Sequence, residues 1–414
     1  MNPRRLHRPG VRLTQRVALV SIAITASALA EAPTQVAMNA PTAIAWSGAG
    51  LNEAEAPLVR AIVGLRELGL KSALGEVDKV LAHSPNFRLA HLIKGDLLMA
   101  RAGKPGVFAA KAAPGESLAD LQDEARVRVH RYVDGPRTDY LPAPLLQLAP
   151  SQAHAILVDT SRSRLFVYAN DLGRPRYVTD FYTSLGKNGV EKSREGDQKT
   201  PLGIYTIGAL MEKLPNIYGA GAYPLSYPNE WDRLHGRNGH GIWIHGTPVE
   251  MYSRPPRATD GCVVLTNEDL ARVAKYVDVS RTPIVIGQAV EWRAPDAWET
   301  ERAGVLKAFA GWRADWESRN TERYLANYSN EFRSSQRTFA AWSASKKRVN
   351  SGKSWIKVAV SDVSLFAYPG PSKLMMITFE QDYRSNNMSK RTHKRQFWAL
   401  EAGQWRIVHE AVVS

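Results

Sequence analysis

A chain of 414 residues exceeds one ordinary domain and predicts two to four of them, and 44% apolar residues supply enough core to exclude wholesale disorder. The net charge of +14 is uneven: five arginines and no acid in residues 1–30, equal numbers of each sign in 31–300, and 19 basic against 10 acidic residues in 301–414. That placement puts the basic excess of a processed chain in its C-terminal part, where it suits an anionic surface better than nucleic acid.

In chain order, Arg4, Arg5, Arg8, Arg12 and Arg16 precede the apolar run VALVSIAITASALA, which ends in Ala28-Leu29-Ala30. A basic leader, a short apolar stretch and an A-x-A site predict a signal peptide over residues 1–30 and an exported protein. The run is shorter than the roughly 20 residues that span a bilayer, so cleavage is expected and an uncleaved anchor is the alternative. Residues 51–102 place apolar side chains at three- and four-residue steps, which predicts helices. Their repeat of about 34 residues resembles tetratricopeptide hairpins. Residues 103–150, rich in Pro and Gly, read as connecting structure with a short helical piece near ESLADLQDEARVRVHRYV, so 51–148 is expected to form a helical region and connector. What these helices do, dimerisation included, stays open.

From residue 153 the pattern changes to strands. AHAILVDTSRSRLFVYANDLGRPRYVTDFYTSLG alternates β-branched or aromatic runs with turn residues, and KTPLGIYTIG and GHGIWIHG are further candidates. A short helix follows with Asn267 as its expected N-cap, SRTPIVIG closes a domain predicted over 152–288, and EWRAPDAWETERAG reads as a linker. Residues 301–414 begin with helices and end in long strands, an α+β pattern that resembles the NTF2-like cone. The Trp312/Trp316 and Tyr324/Tyr328 pairs fall on helical spacing and read as core. His393 and His409 show no partner pattern, and no chemistry is assigned to them.

The single cysteine, Cys262, follows Thr259-Asp260-Gly261, turn residues rather than a core strand. An exported protein with one thiol has no internal disulfide to make. A thiol attacks a carbonyl as thiolate and needs a base, and His245 ends the strand GHGIWIHG, with Gly246 after it. Strand alternation puts Trp243 and His245 on one face and Ile242 and Ile244 on the other. The loop TPVEMYSRPPRATDG is long enough to return Cys262 to the imidazole. Gly261 permits close backbone approach, and the Cys262 N–H could help form an oxyanion hole.

His-Gly, a loop and then Thr-Asp-Gly-Cys-Val-Val-Leu-Thr-Asn resembles the catalytic motif of the L,D-transpeptidases of YkuD type. SLGKNGVEKSREGDQKTPLGIYTI and the hairpin AILVDTSRSRLFVY match two further family stretches, so the likeness covers about 135 residues. It implies a mainly β sandwich and an exported, periplasmic enzyme acting on peptidoglycan stem peptides, without metal or other cofactor. Cys262 would be the nucleophile and His245 the general base and acid, with Gly261, Thr259, Asp260 and Gly246 forming the oxyanion and site loop. An amine acceptor would give 3–3 cross-links or attach a protein, and water would make the enzyme an L,D-carboxypeptidase. Two positions depart from the pattern: Asp260 stands where many members have His, and Val264 where they have Arg or Asn. Hence a wall-binding protein with a dead site is a further alternative. The three-part layout is similar to cell-shape L,D-carboxypeptidases, and the basic C-terminal domain is expected to dock to wall or envelope protein. A zinc hydrolase built on His235, His240 and His245 fits less well, because five-residue steps on a strand alternate faces.

Overall fold

The computed structural model describes residues 54–104, 106, 116–135, 138–334 and 337–413. The expected signal peptide lies outside them. None of the described helices is long and apolar enough to cross a membrane.

The N-terminal helices run Glu55–Val63, Leu65–His83 and Arg88–Arg101, the second broken at Gly69, where φ is +73°. Their apolar faces (Leu58, Val77, Val80, Phe87, Ile93, Leu97) pack together, and Tyr252, from a loop far along the chain, joins the same cluster. The expected short helical piece is in fact the 18-residue helix Glu116–Val133. It is no connector, because it carries the buried Glu124, Arg128 and Arg131. Nor are residues 141–147 connecting structure. Leu141–Pro142 pairs with Trp292–Arg293, and Leu145–Gln147 pairs with the strand Ile356–Ala367.

The central domain is a β sandwich. Its larger sheet orders the strands Arg174–Tyr182, Arg164–Asp171, His154–Asp159, Pro283–Gly287 and Gly203–Thr206. The smaller places Trp243–His245 between Val263–Val264 and Ala222–Pro224. Ile156, Val158, Ile244, Val263 and Leu270 fill the space between them. The other face of the larger sheet is covered as well: Ala155 and Leu157 pack with Phe366, Met376 and Phe397 of the C-terminal domain. Burial on both faces is why residues 155–158 read as an unbroken apolar run rather than an alternating one.

The C-terminal domain opens earlier than the sequence suggests. The expected linker holds Pro295 at the first position of a helix running Pro295–Glu317, a favoured site because its missing N–H has no partner to lose there. Trp298, on that helix, is buried and donates its indole N–H to Leu145 O at 3.2 Å. A seven-stranded sheet wraps the helix, and Trp312, Trp316, Tyr324 and Tyr328 lie in its core, as their spacing predicts.

Candidate active site

His245 ends its strand where the chain must pass under a neighbouring loop. Gly246 follows because a Cβ there would lie 2.0 Å from Asn267 Oδ1. Asn267 is not the cap of the next helix: Thr266 is, its hydroxyl accepting from Asp269 N, while Asn267 binds Thr247 O and Ala220 N across the gap. The imidazole is buried, 3% exposed, and its Nδ1 lies 2.7 Å from Gly246 O. A carbonyl only accepts, so Nδ1 carries the proton and Nε2 is left basic. Among the described residues Nε2 has no hydrogen-bond partner. Tyr218 lies against this face, edge-on to His245 at 5.1 Å and tilted over Trp243 at 4.9 Å. The predicted alternation holds: Ile242 and Ile244 point into the core.

The strand Val263–Val264 runs parallel to the histidine strand with Val264 beside His245, which sets Cys262 at its mouth. Cys262 Sγ donates to Gly241 O at 3.3 Å, and the Trp243 N–H faces the sulfur. Thr259, 3% exposed, closes the turn: its hydroxyl donates to Cys262 O at 2.8 Å and accepts from Gly261 N at 3.1 Å. Gly261 sits at φ +124°, and a Cβ there would meet Lys199 O at 2.6 Å. The structure therefore narrows one expectation, that N–H groups near Gly261 and Cys262 are free for an oxyanion. The Gly261 N–H is already occupied by Thr259, and the N–H left unpartnered among the described residues is that of Cys262 itself. Asp260 points away, its side chain 77% exposed and 3.0 Å from Lys187 Nζ.

Burial pushes the Cys262 thiol up to about 11, with Asp260 adding to the shift and the Trp243 N–H, Arg254 and Lys192 opposing it. Burial likewise pulls His245 down to about 4, helped by the charge of Arg254 and opposed by the Gly246 bond. At neutral pH the resting pair is a thiol and a neutral imidazole, suited to proton transfer as the sulfur attacks.

The loop between the two residues is held from outside the sandwich. Tyr252 packs on Phe87 with ring centroids 4.5 Å apart, Asn86 donates to Val249 O at 2.9 Å, and Ser253 Oγ donates to Glu124 at 2.7 Å. Glu124 belongs to a buried set with Arg128, Glu55, Arg164, Asp180 and Arg131 that joins two N-terminal helices to two strands of the larger sheet. Arg254, Tyr218 and this helical brace are absent from the motif reading. Arg254 was discoverable as a cation inside the loop between His245 and Cys262; Tyr218 and Glu124 carried no signal. The other histidines stand apart, His240 exposed beside Glu195 and His235 against Trp231.

Residues 153–286 match the family model of the L,D-transpeptidase catalytic domain, YkuD, and residues 304–411 that of the Cds6 C-terminal NTF2-like domain. The chain is 31% identical over 86 residues to YafK of Escherichia coli strain K12, whose name assigns it provisionally to the L,D-transpeptidases; the match spans 21% of this chain and 31% of YafK. The chain thus covers about a third of that relative's length. Two solved structures align over nearly their whole length. Bd1075 of Bdellovibrio bacteriovorus is 26% identical, covering 66% of this chain and 98% of its own, with TM-score 0.59. Pgp2 of Campylobacter jejuni, a helical cell shape determining protein, is 27% identical, covering 67% and 96%, with TM-score 0.57. The chain carries an L,D-transpeptidase catalytic domain between N-terminal helices and an NTF2-like C-terminal domain.

Proposed function

We propose that this protein is a periplasmic cysteine acyl-transfer enzyme acting on peptidoglycan stem peptides, with Cys262 as nucleophile and His245 as base and acid. The observation that carries the reading is the pairing of Val264 with His245, which puts Cys262, two residues earlier, on the same side of the neighbouring strand as an imidazole whose Nδ1 is tied down and whose Nε2 is the basic nitrogen. In the first half-reaction Nε2 takes the thiol proton as sulfur bonds to the carbonyl carbon at the L-centre of the third stem residue. The oxyanion is met by the Cys262 N–H. Collapse breaks the C–N bond, and the imidazolium gives its proton to the departing amine of the terminal D-residue. The thioester then passes its acyl group to an acceptor, whose proton leaves through His245 as the thiolate departs.

An amine acceptor gives a 3–3 cross-link or an attached protein. Water gives a tripeptide stem, a second reading favoured by the Asp260 and Val264 departures and by the three-part layout of helices, catalytic domain and NTF2-like domain. The test is mature protein, with a Cys262→Ala control, incubated with tetrapeptide-stem muropeptides and read by mass spectrometry. Cys262-dependent dimers joined through two diamino acids support transpeptidation; loss of the terminal D-residue alone supports hydrolysis. The absence of any Cys262-dependent product or carbapenem adduct overturns both in favour of a wall-binding protein.

A further inference from the structure

The cation that the family pattern leads one to expect two residues after the cysteine is missing, and Val264 at that place is 2% exposed within a strand. Arg254 and Lys192 act on Cys262, and Lys187 pairs with the cysteine's neighbour Asp260 at 3.0 Å. Lys192 is buried against Asp197 at 2.7 Å. Arg254 has no ion-pair partner among the described residues. Its guanidinium donates to one backbone carbonyl, Ile217 O, at 3.2 Å, next to the Tyr218 that covers His245. It is half-buried, and its charge is felt by both Cys262 and His245.

The backbone that presents Arg254 is fixed on both sides. Its own carbonyl accepts from Tyr182 OH at 2.8 Å, and the carbonyls of Pro255 and Pro256 accept from Ser184 Oγ and Leu185 N at 2.5 and 2.9 Å. Ahead of it, Ser253 and Tyr252 are anchored on the N-terminal helices. A half-desolvated cation with no direct ion pair, offset only at longer range by Asp260, which is itself paired with Lys187, is costly, and an anionic ligand relieves that cost. In the proposed reaction such an anion is always close by. The carboxylate of the expelled terminal residue lies three bonds from the carbonyl carbon that Cys262 attacks.

We propose that Arg254 is a specificity-determining residue that binds the terminal α-carboxylate of the donor stem, so that the enzyme selects stems ending at the residue it removes. The proposal rests on the acyl-transfer reading above. The planar guanidinium forms charge-assisted bonds to the carboxylate and sets the preceding amide against the sulfur. A stem extended by one residue, or capped as an amide, offers no carboxylate at that distance.

The test crosses two enzymes with two substrates: wild type and Arg254→Gln, each with a tetrapeptide stem and with the same stem as its terminal carboxamide. Wild type should prefer the carboxylate about 30- to 100-fold in kcat/KM, the weight of a charged hydrogen-bond pair. Arg254→Gln should lose that factor on the carboxylate, chiefly through KM, and little on the carboxamide. Arg254→Lys should recover part of it. An equal loss on both substrates, or no loss on either, overturns the assignment of Arg254 while leaving acyl transfer standing. If wild type gives no Cys262-dependent turnover of the tetrapeptide, the acyl-transfer reading fails and this one fails with it.

Discussion

At Cys262 and His245 burial acts twice and in opposite senses, raising the thiol to about 11 and lowering the imidazole to about 4. Below the lower value the imidazole is protonated and has no lone pair for the thiol proton; above the upper value the thiol has already lost it. The kcat/KM of wild type should therefore be flat through neutrality, and alkylation of free Cys262 should be slow at pH 7 and rise toward about 11. An alkylation midpoint at or below neutrality would mean a resting thiolate–imidazolium pair and sink this account. Removing Arg254 takes away a cation that disfavours the protonated ring, so Arg254→Gln should raise the His245 pKa and move the acid limb upward. Gly261 gives a second prediction. Ala at φ +124° with Lys199 O in the way costs on the order of 1–3 kcal/mol in strain and displaces the turn, so Gly261→Ala should fold and lose at least about 100-fold in kcat. Near-normal kcat would show that the turn relaxes. Gly261, Cys262 and His245 stood out in the sequence because the proposed chemistry demands those residue types. The use of the Gly261 N–H did not, since a Thr two residues earlier is as common in idle turns.

At the scale of elements, the helix Glu116–Val133 and the loop carrying Ser253 depend on each other. Glu124 and Arg128 stand four residues apart on the helix, a spacing that in sequence reads as an exposed pair. Their burial follows from Glu55, Arg164 and Asp180, which lie in other elements and leave no local trace. For the same reason the Pro295 helix start was readable in a local motif, whereas the pairing of Leu145–Gln147 with a strand some two hundred residues away was not. Removing one carboxylate from such a set leaves a buried guanidinium partly uncompensated. Glu124→Ala should cost roughly 3–5 kcal/mol and lower the melting temperature. Ser253→Ala removes only the tether to the loop and should cost about 1 kcal/mol or less while lowering turnover. Thermal melts and kcat measured on the two variants separate these effects. Unchanged melting of Glu124→Ala would mean that the set relaxes without it.

Across the whole molecule the apolar face that Ala155 and Leu157 share with Phe366, Met376 and Phe397 makes the catalytic and C-terminal domains parts of one core. The charge asymmetry was visible in composition, but this interlock was not, because burial on a second face only shows as a strand that is apolar throughout. It also decides how the expected wall docking is to be tested. Deleting residues 301–414 would uncover the larger sheet and break the pairing of Leu145–Gln147, so lost binding would report misfolding. Charge reversal is the cleaner perturbation. Lys347 and Arg348 are exposed near the end of one helix, and Lys390 and Arg391 near the tip of a hairpin that meets it, where Ser354 N donates to Asn386 Oδ1 at 3.1 Å. Replacing these four by Glu removes two charges each and takes residues 301–414 from +9 to about +1. Docking to an anionic surface predicts that sacculus binding by the wild type weakens between low and physiological salt, as screening shortens the range of the field. It predicts too that the reversed variant binds weakly at both salts, while turnover of soluble muropeptides is unchanged because these positions belong to the C-terminal domain, which packs on the face of the larger sheet opposite the core that holds Ile244 and Val263. Equal, salt-insensitive binding by both proteins would remove charge from the explanation and leave the cone's shape to account for any docking.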